Sequence, residues 1–190
     1  AIATSAGGAP ADLLTTFTVV VADTTAISAS TTIEASNTTY DNKTVVITGG
    51  TITIRGAHTF DRLLVLGGAV VHAGGEKLEV TTTRGLYVAC VASIDASGRG
   101  YGPGGTYPGA TPPGFATAGS HIGYGGLNSG PYASTYGSVY QPMEAGGGGS
   151  RNGTGGGVVR ISAGTLVNDG AIRANGSGGD DGAAGGSVWI

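Results

Sequence analysis

The chain lacks most of what the common function classes require. It has one cysteine, Cys90, so no internal disulfide can form. Cys90 lies in the apolar run Leu86-Tyr87-Val88-Ala89-Cys90-Val91-Ala92, where a small buried core residue is expected. Charged residues are only 11% of the chain, the net charge is −3, and no basic cluster occurs. Nucleic-acid binding is thereby excluded as an expectation, because phosphate contact needs concentrated Lys and Arg. No apolar run reaches the roughly 18 residues of a membrane span. No segment carries helical periodicity over a useful length. Disorder is not implied either, since Val, Ile and Leu recur in patterned runs. The chain opens on Ala1, and no charged segment precedes an apolar one. A removed signal peptide or a fragment of a longer protein is expected.

Glycine is what the chain has in abundance, at 39 of 190 residues. A short phrase is also written five times: Ile33-Glu34-Ala35-Ser36-Asn37, Ile52-Thr53-Ile54-Arg55-Gly56, Val71-His72-Ala73-Gly74-Gly75, Ile94-Asp95-Ala96-Ser97-Gly98 and Ile172-Arg173-Ala174-Asn175-Gly176. An apolar residue precedes each lead residue by about six positions: Ile27, Val46, Val65, Val88 and Leu166. The steps are 19, 19, 23 and then 78 residues. Aligning Gly49-Gly50 with Gly67-Gly68 instead gives a step of 18 between the second and third copies. A period near 20 is the signature of a stacked solenoid. Short alternating segments such as Thr51-Ile52-Thr53-Ile54 and Lys77-Leu78-Glu79-Val80 read as strands of three to five residues. Gly-Gly pairs at 49–50, 67–68 and 74–75 suit turns that need positive φ.

The expected fold is therefore all-β, a right-handed single-stranded parallel β-helix in which each strand pairs with its equivalent one turn of the solenoid away. Ile33, Ile52, Val71, Ile94 and Ile172 would form an inward ladder. Residues 1–25 form an arm with a capping or donor strand at Leu13–Val21, and 26–190 form the β-helix domain. Residues 98–157 interrupt it with a glycine-, proline- and tyrosine-rich insertion, folded along one flank, where polyproline-II-like segments are possible. Gly156-Gly157-Val158-Val159-Arg160-Ile161 resumes the pattern, and Gly185-Gly186-Ser187-Val188-Trp189-Ile190 repeats it.

Ile94-Asp95-Ala96-Ser97-Gly98-Arg99-Gly100-Tyr101, Gly119-Ser120-His121-Ile122-Gly123-Tyr124-Gly125-Gly126 and the closing glycine-rich runs carry a resemblance. Over roughly residues 45–190 the chain is similar to glycine-rich parallel β-helix modules of large secreted and cell-surface proteins. That resemblance implies a structural or adhesive role at a surface, and it brings across no catalytic residue.

Four of the six asparagines sit in Asn-X-Ser/Thr sequons: Asn37, Asn42, Asn152 and Asn175. They are candidate glycosylation sites and favour an extracellular location. The outward column Glu34, Thr53, His72, Asp95, Arg173 would bring His72 beside Asp95, a geometry compatible with acid–base work. Alternating signs on a solvated face are also ordinary sheet chemistry, and that reading is preferred. Asp180-Asp181 among glycines is a lone fragment of a calcium motif, and His121 is expected to bond to backbone carbonyls. Neither a metal site nor a cofactor is expected.

The function expected is that of a structural filament or adhesin subunit, not an enzyme. Its partner would be itself, joined head to tail through Leu13, Phe17, Val19 and Val21 at one end and Val188, Trp189 and Ile190 at the other. The alternative is a polysaccharide-binding or polysaccharide-degrading module. For that reading Tyr107, Tyr124, Tyr132 and Tyr136 are the candidate glycan or partner contacts.

Overall fold

A computed structural model describes residues 23–190. The strand expected at Leu13–Val21, with its contact residues Leu13, Phe17, Val19 and Val21, lies outside the described residues.

The described chain is all-β. Its strands are β1 (Thr24–Ile27), β2 (Thr31–Ile33), β3 (Thr44–Ile47), β4 (Thr51–Ile54), β5 (Ala57–Val65), β6 (Gly68–Val71), β7 (Lys77–Val88), β8 (Ala92–Asp95), β9 (Val158–Ala163), β10 (Leu166–Asn168), β11 (Ala171–Arg173) and β12 (Ser187–Trp189). A single 3-10 turn at Thr38–Tyr40 accompanies them, capped by the Asn37 side chain, which accepts from the Thr39 N–H. One sheet has the order β1-β3-β5-β7-β9-β12, with β10 also on β7; the other runs β11-β8-β6-β4-β2. All the named strand pairs are parallel. From β1 to β8 the chain therefore alternates between the two sheets.

Alternation of apolar and polar residues sends one set of side chains inward from each sheet. Val45, Ile47, Ile52, Ile54, Leu63, Val65, Val70, Val88 and Ile94 are fully buried in one cluster that draws on both sheets. Burying each aliphatic side chain stabilises by roughly 1.5–3 kcal/mol.

The register corrects the expected ladders by one or two residues. Ile52 opposes Val70, Val70 opposes Ile94, and Ile94 opposes Ile172. Val71 instead opposes Thr53, and Ile33 opposes Ile54. In the other sheet Ile27, Ile47, Val65 and Val88 align in turn, so Ile47 takes the place expected for Val46. Leu166 opposes Leu86. The alignment of the Gly-Gly pairs, with its step of 18, is the one adopted, since Thr51 opposes Ala69. The cause lies in the corners. Gly50 and Gly68 have φ of 76° and 75°. A Cβ on Gly68 would lie 2.2 Å from the Gly50 carbonyl oxygen. Only glycine over glycine lets these turns stack, and that stacking fixes the register of the strands that follow.

Three strands are longer than the three to five residues expected, β9 with six among them. β5 has nine residues and β7 has twelve, because each continues past its alternating core segment. A bulge between Phe60 and Arg62 lets the longer strand keep pace. Asp61 stitches it, accepting from Thr83 Oγ1 at 3.1 Å and pairing with Arg84 Nε at 3.0 Å. Cys90 is also corrected: it is exposed, as is Val91 at 77%. Both occupy the turn between β7 and β8, closed by Ala92 N–H to Ala89 O at 2.8 Å, and so miss the core face.

The insertion contains no strand, yet its backbone is tied throughout. Gly100 N–H donates to Gly155 O, Gly155 to Tyr101 O, Tyr101 to Gly146 O and Gly146 to Gly156 O, all between 2.7 and 3.1 Å. Gly156 donates to Ala184 O, Ala184 to Gly147 O, Gly147 to Ser120 O and Gly148 to Gly105 O. The segment 146–149 thus bonds to neighbours on several sides, a pattern open to chains without internal hydrogen bonds. Close approach demands glycine: a Cβ on Gly155 would lie 1.8 Å from Gly146 O, and one on Gly148 would lie 2.0 Å from Gly102 O. Gly157 N–H donates to Ala96 O at 2.7 Å, which docks the framework on the end of β8.

Gly155→Ala is expected to destabilise by about 1–3 kcal/mol or more through overpacking. Gly74→Ala, where nothing lies within 4 Å of the added Cβ, is expected to be neutral or slightly stabilising. Thermal unfolding of the two variants checks the contrast.

Candidate functional site

The outer faces of the sheets carry ion pairs in columns. Arg55 lies between Glu34, at 3.5 Å, and Glu76. Arg160 pairs with Glu79 at 3.2 Å and Arg173 with Asp95 at 3.3 Å. The last two join neighbouring strands, as expected of cross-strand pairs on solvated sheets, whereas Arg55, just past β4, links Glu34, just past β2, to Glu76 in the turn before β7. The depression lined by Glu34, Arg55, Glu76, Lys77 and Glu79 is walled by these same paired groups.

His72 does not join Asp95, which corrects the expected column. It is fully buried, with Nδ1 2.7 Å from Ala73 O, and Nε2 has no partner. Gly157 lies against the ring, where a Cβ would come within 2.2 Å of Nε2. The shift of Val71 out of the expected ladder changes which neighbours of His72 face inward. Asp95 is occupied by Arg173 and by the Ser97 N–H at 2.8 Å. His58 is also buried, between Asp41 Oδ1 at 2.9 Å and Arg55 O at 3.1 Å. Among the described residues no group of three or more His, Cys, Asp or Glu could hold a metal ion.

Asp181 serves as a structural carboxylate. Its side chain is 2% exposed and is bound by Arg151 and by the Ser150 hydroxyl at 2.6 Å. These bonds hold its pKa down at about 2. Asp180 donates its N–H to Asn152 Oδ1 at 2.9 Å.

The tyrosines separate into two groups that the sequence does not distinguish. Tyr136 packs among Tyr101, Tyr107 and His121, with ring centroids 5.3–6.1 Å apart. Its hydroxyl donates to Ala145 O at 2.9 Å, and burial pushes its pKa well above the ordinary tyrosine value. His121 sits beneath, with Nδ1 3.0 Å from Gly185 O, the kind of carbonyl contact expected of it. Tyr107 stacks on Tyr136 and remains 40% exposed.

Tyr124 and Tyr132 form the second group. They are 69% and 47% exposed, and their ring centroids are 5.3 Å apart. The buried Ser120 joins the segments that carry them. Its Oγ accepts from Gly125 N–H at 3.0 Å and donates to Ala133 O at 3.2 Å. Ser120 thus grips the residue that follows each tyrosine. It was not singled out from the sequence; its position in Gly-Ser-His-Ile-Gly-Tyr is the one available signal.

At the end of the first sheet, β12 pairs with β9 in the register implied by the repeated closing phrase: Ser187 with Val158, Val188 with Val159 and Trp189 with Arg160. The Arg160 guanidinium lies 5.3 Å over the Trp189 ring. Val188 and Ile190 are 38% and 56% exposed. Of the sequon asparagines, Asn42, Asn152 and Asn175 are exposed and Asn37 is half-buried.

No protein-family model matches the chain, and no curated protein or solved structure matches it either. The resemblance to surface β-helix modules therefore stands on the residues quoted for it alone.

Burial lowers the pKa of His72 and of His121 below the ordinary 6.5, against the opposing pull of their carbonyl contacts. The unfolded chain then takes up protons first as the pH falls, so stability present above 6.5 is lost below it. Asp181 adds a second loss as the pH falls from 3.8 toward about 2. Urea midpoints should drop between about pH 7.5 and about pH 5.5. The drop should shrink in His72→Gln and His121→Gln.

Proposed function

We propose that the chain is a right-handed parallel β-helix module of an extracellular surface protein, structural and not catalytic, that joins its neighbours end to end through sheet edges. The observation that carries this reading is the spacing of paired residues. Thr24 opposes Thr44, Thr44 opposes Arg62 and Leu63 opposes Leu86, steps of 20, 18 and 23. In the second sheet Thr31 opposes Ile52, Ile52 opposes Val70 and Val70 opposes Ile94, steps of 21, 18 and 24. A chain that visits two parallel sheets in turn, once per period of about 20, is most simply wound as a solenoid.

Among the described residues, the topology leaves β1 and β2 at one end of the two sheets and β12 and β11 at the other. An edge strand such as β12 can pair with a further strand. Exposed Val188 and Ile190 flank the half-buried Trp189 there. A contact between unlike ends that does not close on itself gives a filament. The exposed sequons at Asn42, Asn152 and Asn175 favour the extracellular location. Polysaccharide degradation has less support, since the His72–Asp95 pairing it would use is not formed.

Electron microscopy and sedimentation should show concentration-dependent end-to-end oligomers. Val188→Lys with Ile190→Lys, both at exposed positions, should abolish them and leave a folded monomer. Deletion of residues 1–21 should do the same. Protein that is monomeric at every concentration, or oligomers untouched by both changes, would contradict the reading.

A further inference from the structure

One long stretch of the insertion carries no residue of formal charge. From Gly100 to Met143 there is no Asp, Glu, Lys or Arg, although the chain holds 12 acidic and 9 basic residues. His121 is the one histidine in that stretch, and it is buried. Yet the stretch exposes Phe115, Ile122, Tyr124, Leu127 and Tyr132, from 46% to 69%. Among these, Tyr124 and Tyr132 make direct ring contact, with their planes tilted by 51°.

The pair is held from below. Besides the two bonds of the Ser120 hydroxyl, Ala118 N–H donates to Gly126 O at 2.9 Å and Gly114 N–H to Pro131 O at 3.0 Å. Both tyrosine-bearing segments are thus tied to residues 114–120. A Cβ on Gly125 would lie 2.4 Å from Gly119 O, so this backbone approach is itself closed to any larger residue. Two flat side chains thus face solvent from backbone that is tied on both sides of the pair.

We propose that Tyr124 and Tyr132 are a stacking platform for a neutral polysaccharide, positioned by Ser120. Sugar rings present C–H faces that stack on aromatic rings, and their hydroxyls can meet the phenolic hydroxyls. The absence of charge over this stretch offers nothing to acidic glycans, phosphates or ionic headgroups, whose recognition rests on opposite charge. A protein contact usually adds arginine to its aromatics; none is present between 100 and 143, and Arg151, 5.6 Å over the Phe115 ring, is already paired with Asp181. Fixing the backbone under the rings beforehand removes part of the ordering cost of binding. The platform lies on the insertion and not on a sheet edge, so it stands or falls separately from end-to-end assembly.

Native affinity electrophoresis of the whole chain tests this, with dextran, mannan, β-1,3-glucan and hydroxyethyl cellulose as neutral probes and alginate as the acidic one. Retardation by at least one neutral probe is expected, unaffected by salt. It should weaken by about tenfold or more in Tyr124→Ala/Tyr132→Ala and persist in Tyr132→Trp. Both tyrosines are exposed, so the double variant should keep its melting temperature. Ser120→Ala should weaken retardation while both rings remain, with the order of preference among neutral probes unchanged. Migration unaltered by all four neutral probes would overturn the proposal. So would equal retardation of the double variant, or retardation by alginate alone that salt abolishes. If the double variant instead lost self-association in sedimentation, the platform would be a contact between copies and the proposal would be wrong.

Discussion

Backbone meeting backbone at distances that exclude a side chain is the constraint on which the molecule depends. It acts in two places. At the corners it places Gly68 directly against Gly50, and so fixes which residue of each strand lies over which. In the insertion it lets the segment 146–149 bond with chain segments around it and brings 153–157 and 182–186 into the same framework. Glycine supplies positive φ at the corners. At Gly155 or Gly148 the need is for room and not for a left-handed turn, since neither has a positive φ.

The aliphatic core depends on those corners. Its columns, Ile52–Val70–Ile94–Ile172 and Ile27–Ile47–Val65–Val88, exist because one register is selected. A slip of one residue would turn each inward side chain outward. The ion pairs along the outer faces follow from the same register: Glu79 meets Arg160 because β9 returns to β7 after the insertion in fixed alignment. The insertion in turn covers His72, docks beside Ala96 and supports the two exposed tyrosines. Its rigidity lets a stretch without strands carry an ordered surface.

Much of the all-β character was legible in the sequence. Alternating segments and the two closing Gly-Gly phrases pointed to strands, and the closing pair aligned as written. The finer ladder was misread because Ile52-Thr53-Ile54 and Val70-Val71 each offer two apolar residues as the lead, and period alone does not choose between them. The stacked glycine pairs did choose. Cys90 is expected in the core because its neighbours are apolar, whereas the turn at Ala89–Ala92 carries it out to solvent. The division of the tyrosines was not legible at all. Tyr136 and Tyr132 are four residues apart in similar surroundings, and tertiary contacts of Tyr136 with Tyr101, Tyr107, His121 and Ala145 O separate a packing ring from a surface one. Ser120 was invisible for the same reason, because its two bonds reach across the insertion.

Amide hydrogen exchange on glycine-labelled protein tests the central claim most directly. If the glycine segments are locked by backbone contact, the amides of Gly146, Gly147, Gly148, Gly155 and Gly156 will exchange as slowly as those of the β-strands, although none of these residues lies in a strand. Exchange of these amides at the rate of an open loop, with the strand amides still protected, would contradict the account.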